Sequence, residues 1–256
     1  MPALKALSIK RSGTAVLKEI LPPVVSSQQE AFLFDERSLS MSFVKNIKAD
    51  IESIKARDPA AKSGLEIILT YSGVHAVIMY RIAHRFYEKN HPTTARIISQ
   101  IARFLTGIEI HPGAKIGKGL LIDHGSGVVI GETAEIGDNC LIYQGVTLGG
   151  TGKDSGKRHP TLGNNVMVGS GAKILGPFKV GDGAKIAANA VVLDEVPPYS
   201  TAVGVPARVT KKHKQTNSDL DQIHIPDPVS QELCKQLNLI EKLTKRVSEL
   251  EEKIEK

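Results

Sequence analysis

An aliphatic residue returns every six positions through the middle of the chain, and no other feature of the sequence restricts the fold as much. The series runs from Ile110 to Val192, with a two-residue slip near Val128–Val129 and an insertion over residues 149–161. Neither the helical period of about 3.6 residues nor the strand period of two produces this spacing. A fixed short period is typical of a parallel β-solenoid. The predicted inward positions are Ile110, Ile116, Ile122, Ile130, Ile136, Ile142, Leu148, Leu162, Val168, Ile174, Val180, Ile186 and Val192.

Each six-residue unit is predicted to form one short strand and a tight corner. The aliphatic residue points inward and stacks on its equivalents, because a single unit cannot bury its own apolar face. Glycine often follows it and supplies corner conformations that a side chain forbids. A glycine-rich antiparallel β domain is the alternative, but it does not account for a register kept across the whole series. The interior is completed by small residues at Ala114, Ala134, Cys140, Ala172, Ala184 and Ala190.

Composition narrows the classes of ligand and location. The 256 residues carry a formal charge of +6 and only 4% aromatic residues. The basic residues form no stripe interleaved with aromatics, so we expect a small polyanionic ligand and no nucleic acid. No apolar run reaches membrane-spanning length, so no membrane contact is expected. Cys140 and Cys234 match no metal-ligand spacing, and no metal is expected.

The early part of the chain bears on localisation. Lys18, Glu19 and Pro22–Pro23 interrupt any signal-peptide core. Two isolated thiols suit a reducing compartment, so we expect a cytoplasmic protein. The low acid content of the first residues leaves an organelle-targeting segment as the alternative.

Four regions are expected. The first shows no sustained period and reads as flexible. The second carries three helical patterns: one that ends before Pro59, one from about Gly64 to Glu88, and one that Pro92 opens and Gly107 closes. The boundaries are 1–41 for the extension, 42–107 for the helical domain, 108–209 for the solenoid, and 210–256 for a linker and a C-terminal helix.

The C-terminal helix has an apolar stripe whose members are alternately three and four residues apart. This heptad spacing is typical of a coiled coil. A single helix packed on its own subunit is the alternative, because so few heptads are marginal alone. The stripe comprises Ile240, Leu243, Val247, Leu250 and Ile254.

Three sequence segments together are more specific than any single residue: "IEIHPGAKIGKGLLIDHGSGVVIGETA", "QGVTLGGTGKDSGKRHPT" and "GVPARV". With them, the chain from about Ser42 to Arg208, including "ARDPA", resembles serine O-acetyltransferase, a family of hexapeptide-repeat enzymes. The closing "DLDQIHIPDPV" and the heptad helix are similar to the Bacillus-type branch. The resemblance implies an α+β protein in which a helical domain precedes a left-handed parallel β-helix. It also implies a homotrimer, or a dimer of trimers, that transfers acetyl from acetyl-CoA to L-serine for cysteine biosynthesis.

The resemblance assigns the catalytic pair to His124 and Glu109. A serine hydroxyl is a poor nucleophile at neutral pH, so its attack on a thioester needs a general base, and imidazole titrates in the right range. By resemblance, Glu109 orients that base; the family's usual residue there is Asp, so Glu109 adds a methylene. The simpler alternatives are a solvated corner histidine and a surface carboxylate.

Substrate recognition follows from the two charges of serine. Arg158 offers a planar fork for the carboxylate. By resemblance, Asp58 and Asp123 take the ammonium and His159 adds a hydrogen bond, with two subunits meeting at each site. Asp58 has a simpler alternative role, since Asp-Pro often only ends a helix. His111 is interpreted as structural.

The resemblance also assigns the acetyl-CoA contacts. Backbone groups at Gly150, Ser170 and Ala188 would hold the pantetheine arm, and Lys185 and Arg208 would lie near the phosphates. "LGGTGKDS" is not a phosphate-binding P-loop, because Asp154 stands where Ser or Thr is required.

Inhibition and partners are further expectations. L-Cysteine shares the ammonium and carboxylate of serine and is the expected inhibitor. O-Acetylserine sulfhydrylase is not expected as a partner, because the members of the family that bind it do so by inserting a C-terminal isoleucine, whereas this sequence closes with Lys253–Lys256. Three other functions stay open: an acyltransferase for a sugar acceptor, a γ-type carbonic anhydrase, and a non-enzymatic scaffold. The histidines of the solenoid lack the close spacing that the carbonic anhydrase metal site needs.

Overall fold

A computed structural model of the chain describes residues 43–152, 155–212 and 228–254. The predicted extension over residues 1–41 lies outside the described residues. Apart from the first two residues of the first helix, the described elements belong to one compact unit, Lys45–Lys256. N-terminal helices, a parallel β-solenoid and a C-terminal helix are all present, which confirms the predicted α+β architecture.

Within residues 43–107, which the structure describes, four helices precede the solenoid, where the sequence predicted three. They are α1 (43–57), α2 (Gly64–Thr70), α3 (Ser72–Glu88) and α4 (Pro92–Thr106). The pattern from Gly64 to Glu88 is divided at Tyr71, whose extended backbone (φ −89°, ψ 108°) turns the chain by 79°. Ser63 caps α2 by accepting a hydrogen bond from the Glu66 amide.

Fifteen short strands form the solenoid and its end. They are β1 (Glu109–Ile110), β2 (Lys115–Ile116), β3 (Leu121–Asp123), β4 (Val129–Ile130), β5 (Glu135–Ile136), β6 (Leu141–Tyr143), β7 (Thr147–Gly149), β8 (Thr161–Leu162), β9 (Met167–Val168), β10 (Lys173–Leu175), β11 (Lys179–Val180), β12 (Lys185–Ile186), β13 (Val191–Val192), β14 (Ser200–Val203) and β15 (Arg208–Lys212).

The strands stack into three sheets that are the faces of a triangular prism. Sheet A is β1-β4-β7-β10-β13, sheet B is β2-β5-β8-β11, and sheet C is β3-β6-β9-β12-β14-β15. Each coil visits A, B and C in turn, so the five strands of sheet A count five coils. All pairings are parallel except that of β15 with β14. This is the predicted left-handed parallel β-helix.

The interior follows the hexapeptide register closely. Every predicted inward aliphatic residue is buried except Ile116, which is half-buried, and all six predicted small residues are fully buried. Burial raises the pKa of the Cys140 thiol to about 11. Cys140 is therefore a core residue, as predicted. Each removed methylene in such an interior costs about 1 kcal/mol.

The helices are fixed to the first coils by close backbone contact and by a buried ion pair. A Cβ added to Gly73 in α3 would lie 2.2 Å from the Ile122 carbonyl oxygen, so only glycine allows this approach. Arg81 binds Asp50 through Nε and Nη2, the shortest contact being 2.8 Å. The Asp50 carboxylate also accepts the Gly119 amide at 2.7 Å. These contacts hold α1 and α3 against the coil.

The C-terminal helix α5 (Pro228–Ile254) exposes the described members of its apolar stripe, Ile240, Leu243, Val247 and Leu250. Its side chains from Leu233 to Glu251 are all exposed, so none of them is packed on the solenoid. Among the described helices, none by itself is long and apolar enough to cross a membrane. α2 and α3 meet that criterion only as a bent pair.

Candidate active site

The slip in the hexapeptide register lies at the turn from β3 to β4. Five residues (124–128) connect these strands, whereas three (144–146) connect β6 to β7 in the next coil. The Gly145 amide binds the Ser126 carbonyl, and the Gly171 amide binds the Gln144 carbonyl. Ser126 therefore occupies the place of Gln144, and the two added residues are His124 and Gly125.

His124 and Gly125 make an outward bulge that we call the C–A corner, defined by residues 124–128. Both residues have left-handed backbone conformations, with φ of 58° and 68°. Histidine is among the few non-glycine residues enriched there. A Cβ on Gly125 would lie 2.4 Å from Ile108 Cδ1, so glycine is required. The bulge leaves 77% of the His124 side chain exposed.

Two carboxylates and a phenol lie near His124. Asp123, the last residue of β3, places Oδ1 3.9 Å from His124 Nε2. The Tyr71 hydroxyl donates to Asp58 Oδ2 at 2.6 Å, and the Ala60 amide donates to Oδ1 at 2.8 Å. The hydrogen bond to Asp58 raises the pKa of Tyr71 to about 12, and Asp123 adds to this electrostatically. The structure thus brings Asp58, Asp123 and His124 together.

Tyr71 was not predicted from the sequence. Its ring packs against the apolar cluster beneath α2 and α3, while its hydroxyl faces Asp58. It stands at the break between α2 and α3, in a segment whose pattern is otherwise helical. The only sequence signal was a polar-tipped aromatic residue inside that pattern.

Glu109 has a different partner from the one predicted. Its Oε2 lies 3.4 Å from Arg103 Nε at the C-terminal end of α4. Within the described residues, no hydrogen bond or ion pair joins Glu109 to His124. The Arg103 side chain is 57% exposed, so this ion pair is weak. The orienting role of Glu109 stays a prediction.

Arg158 and His159 lie at another edge of the prism, where sheets A and B meet. We call this the A–B corner, defined by Glu132, Thr133 and residues 157–159. Arg158 Nη2 donates to Glu132 Oε2 at 2.9 Å. His159 is buried, and its ring lies so close to Gly131 that an added Cβ would be 2.0 Å from its Cδ2. Burial, and next the Arg158 charge, lower the pKa of His159.

His111 also lies on this edge, one coil before Glu132. Its Nδ1 accepts the Gly113 amide at 3.0 Å, and its ring meets Tyr87 edge-on. Burial lowers the pKa of His111, and the Arg96 charge lowers it further. These contacts are those of a structural residue, in line with its interpretation from the sequence.

The predicted serine-binding residues are therefore divided between two edges of one prism. The C–A corner carries His124 and Asp123, with Asp58 close by. The A–B corner carries Arg158 and His159. A single triangular coil separates these edges by a whole face, so one chain does not bring the two groups together.

The predicted acetyl-CoA contacts also follow the edges. Ser170 and Ala188 lie on the edge of the C–A corner, and the Asn189 amide binds the Ser170 carbonyl at 2.7 Å. Gly150 lies on the A–B edge, where an added Cβ would be 2.9 Å from Arg158 Cγ. Lys185 and Arg208 are the first residues of β12 and β15, in the later part of sheet C.

The described residues contain no group of three His, Cys, Asp or Glu side chains placed to hold a metal ion. The chemistry available at the C–A corner is that of an exposed imidazole beside carboxylates. The chemistry at the A–B corner is that of a guanidinium and a buried ring held in a fixed orientation. The first set suits proton transfer, and the second suits the binding of an anionic group.

Comparison with known proteins agrees with the motifs. The bacterial transferase hexapeptide family (six repeats) matches residues 159–194. A serine acetyltransferase of Bacillus pumilus is 52% identical over 214 residues, which cover 83% of this chain and 99% of that protein.

Solved structures extend the likeness to the fold. A serine acetyltransferase in complex with cysteine has 40% identity and a TM-score of 0.71, covering 82% of this chain and 83% of the other. The Neisseria gonorrhoeae serine acetyltransferase in complex with serine has 38% identity and a TM-score of 0.66, covering 76% and 79%. Motifs, fold and sequence identity agree, and the chain belongs to the serine acetyltransferase family of acyltransferases.

Proposed function

We propose that the protein transfers the acetyl group of acetyl-CoA to the hydroxyl of L-serine, giving O-acetyl-L-serine and CoA, and so opens cysteine biosynthesis from serine. The observation that carries the proposal is the two-residue bulge, which interrupts an otherwise regular coil and presents His124 beside Asp123. A purely structural coil has no need of a strained, exposed histidine at this point.

His124 is the proposed general base. It takes the proton of the serine hydroxyl while the oxygen attacks the thioester carbonyl carbon. The tetrahedral species then breaks its C–S bond, and the imidazolium returns the proton to the departing CoA thiolate. A base placed in this way contributes about 10²–10⁴-fold to the rate.

Glu109 is the proposed orienting carboxylate. For this role it must leave Arg103, and an exchange from so exposed an ion pair costs about 1 kcal/mol or less. We expect Glu109→Gln to lower kcat while leaving the KM for acetyl-CoA unchanged. An unchanged kcat would mean that Asp123, 3.9 Å from the ring, is sufficient to orient His124.

The serine site is proposed to lie between two copies of the chain in a homotrimer. The C–A corner of one copy would face the A–B corner of the next, since neither edge alone holds both a base and a carboxylate-binding group. Asp58 and Asp123 would take the ammonium and Arg158 the carboxylate, with His159 donating a hydrogen bond. The serine complex of the gonococcal relative supports binding of this substrate.

Subunit mixing tests the shared site directly. His124→Ala and Arg158→Ala variants should each be inactive alone. Mixed trimers would regain activity, because one interface then joins an intact His124 to an intact Arg158. If the mixture stays as inactive as its components, the two groups do not meet across an interface.

Acetyl-CoA is proposed to bind along the edge of the C–A corner. Backbone groups at Ser170 and Ala188, together with Gly150 of the facing edge, would hold the pantetheine arm. Lys185 and Arg208 would contact the phosphates, which accounts for part of the +6 charge. Arg208→Ala should raise the KM for acetyl-CoA and leave the KM for serine unchanged.

L-Cysteine is proposed as a feedback inhibitor that competes with serine. It carries the same ammonium and carboxylate, and a relative has been solved in complex with cysteine. Asp58→Asn should weaken serine binding and cysteine inhibition together. If only one of them changes, the two ligands do not share this site.

The helix α5 is proposed to pair with α5 of another copy as a parallel coiled coil. Ile240 and Val247 take the first apolar heptad position and Leu243 and Leu250 the second, a combination that favours two strands. Arg246 and Glu251 then fall on flanking positions of opposite charge. Two-stranded pairing would join two trimers, so a chain ending at residue 227 should be a trimer and the full chain a hexamer in light scattering.

A thiol-release assay with acetyl-CoA and candidate acceptors tests the function itself. L-Serine should be acetylated in preference to an amino sugar. Preference for the sugar would instead favour another hexapeptide-repeat acyltransferase. We expect the reaction in the cytoplasm, without a metal and without O-acetylserine sulfhydrylase as a partner.

A further inference from the structure

Thr133, in the turn from β4 to β5, makes more hydrogen bonds at the A–B corner than any predicted site residue there. Its hydroxyl oxygen accepts the amides of Arg158 and His159, at 3.0 and 3.1 Å. The same hydroxyl lies 2.9 Å from Nδ1 of the His159 ring. The Thr133 amide also points at Nδ1, at 3.2 Å.

These contacts fix which ring nitrogen of His159 carries a proton. A hydroxyl has one hydrogen to donate and two lone pairs to accept with. The two amides use both lone pairs of the Thr133 oxygen, so its hydrogen is directed at Nδ1. The Thr133 amide is a donor as well. Nδ1 therefore accepts hydrogen bonds and carries no proton.

The neutral ring must then carry its proton on Nε2. Nε2 lies over Gly131 and Gly150, where added Cβ atoms would be 2.1 and 3.1 Å away. Within the described residues, Nε2 has no hydrogen-bond partner, so its N–H is available to a ligand. The missing side chains of the two glycines are what allow the ring to lie this close to the backbone.

We propose that Thr133 is a positioning residue that locks His159 as the neutral Nε2–H tautomer, so that the ring donates a hydrogen bond to the substrate or to the oxygen that develops charge. The identity of that ligand rests on the proposed function, whereas the tautomer does not. The buried ring cannot serve as the base, because its free nitrogen is already occupied by Thr133. This leaves the proton-accepting role to His124.

The charges around the ring act in the same direction. Arg158 and Lys157 disfavour a second positive charge, and burial disfavours it more, while Glu132 opposes them. Protonation of Nδ1 would also turn a donor toward the Thr133 amide. The pKa of His159 is therefore lowered from its ordinary value, which favours the neutral ring with its donor on Nε2.

Nitrogen NMR of the native enzyme tests the proposal without any mutation. In a ¹⁵N-histidine sample, the His159 signals are assigned by their loss in His159→Gln. The expected pattern is a bare Nδ1 and a protonated Nε2, unchanged through neutral pH. A protonated Nδ1 at neutral pH would overturn the proposal.

Two variants then separate positioning from folding. Thr133→Ser keeps the hydroxyl, so it should keep both the tautomer and the rate. Thr133→Val keeps the shape but loses the hydroxyl; we expect a mixture of tautomers and a fall in kcat of about tenfold, the size of one hydrogen bond. Thr161→Val is the matched control, because the Thr161 hydroxyl donates to Glu135, at 3.4 Å, and among the described residues has no hydrogen bond to Arg158 or His159.

A pure Nε2–H tautomer in Thr133→Val would overturn the role of the Thr133 hydroxyl, because the backbone amide that the variant keeps, 3.2 Å from Nδ1, would then be sufficient. A failure of the proposed function has a different signature. If the native spectrum is as expected but the enzyme does not acetylate serine, the positioning by Thr133 stands and the substrate assignment falls. The spectrum and the assay thus report on separate claims.

Discussion

The two corners of the coil that carry the predicted site residues are built in opposite ways. At the C–A corner, the exposed His124 approaches Asp123 no closer than 3.9 Å. At the A–B corner, Thr133 and two glycines surround the buried His159 and leave its ring one orientation. The corner proposed to receive the substrate carboxylate is held by contacts within a single chain. The corner proposed to move a proton leaves its imidazole exposed.

The largest expected effect tests the open corner. His124→Ala should lower turnover by about 10²–10⁴-fold, the contribution of a general base, with assembly unchanged. His124→Asn is the matched control for the backbone, since asparagine adopts the same left-handed conformation at Asn139 and Asn165. Both variants should be equally inactive, whereas in thermal unfolding the asparagine variant should keep the native stability better than the alanine variant, because alanine disfavours the left-handed conformation. Retained turnover in either one would make the corner structural.

The next effect tests the rigid corner. Gly131→Ala places a methyl group 2.0 Å from the His159 ring and must displace it. A displacement of about 1 Å can cost on the order of 100-fold in rate, so kcat/KM for serine should fall by 10- to 100-fold. Gly152→Ala is the control, because its added Cβ meets no atom within 4 Å. Equal activity of the two variants would show that the ring position does not matter.

A smaller effect is expected from the hydrogen bond between Tyr71 and Asp58, next to the C–A corner. Tyr71→Phe removes the 2.6 Å hydrogen bond to Asp58 but keeps the ring in its apolar cluster. The KM for serine should rise about tenfold, and cysteine inhibition should weaken in parallel, with kcat nearly constant. Tyr80→Phe removes the buried bond to the Ala114 carbonyl; it should lower stability and leave the KM unchanged. The opposite pattern would assign Tyr71 to folding.

The smallest effect concerns the core beneath both corners. The pKa of Cys140 is about 11 in the folded chain, against an ordinary value of 9.0. Between these pH values the unfolded thiol loses its proton while the folded one keeps it, so stability falls as the pH rises. Between pH 8.5 and 10.5 the free energy of unfolding should fall by about 1.5–2 kcal/mol, because each pH unit between the two pKa values contributes about 1.4 kcal/mol. Urea unfolding at pH 8.5 and 10.5 would measure it, and Cys140→Ala should show a smaller fall. If the native protein and Cys140→Ala lose the same stability over this pH range, the loss comes from titratable groups other than Cys140.

The sequence predicted the coil better than it predicted the site contacts. Inward positions such as Ile142 and Ala172 depend on a period that is local to the chain, so every coil repeats the same information. The slip near Val128 was visible for the same reason, although only the hydrogen bonds between coils identified the added residues as His124 and Gly125. The family resemblance supplied the roles of the site residues.

What the sequence missed depends on contacts between distant segments. Tyr71 breaks a helical pattern without glycine or proline, because its hydroxyl reaches Asp58, 13 positions earlier. Thr133 lies in one of the segments that carry the family resemblance. Its partners Arg158 and His159 are 25 and 26 positions later, at the end of the loop that leaves the coil after β7, so no sequence pattern links them to it. Glu109 meets Arg103 because α4 ends beside β1. Neither the hexapeptide period nor the spacing of a motif predicts contacts between side chains so far apart in the sequence.

The added residues at His124 also determine which changes in chain length the protein can accommodate. Above this bulge, each turn of the prism reproduces the bonding of the turn beneath it, so whole turns can be gained or lost at the far end without moving the imidazole. We expect that a deletion of His124 and Gly125 would give this corner the regular turn of the next coil, so that the chain folds but lacks the proposed base. The residues that determine the fold of the coil and the residues proposed for catalysis are thus largely different, so that one set can change while the other is kept.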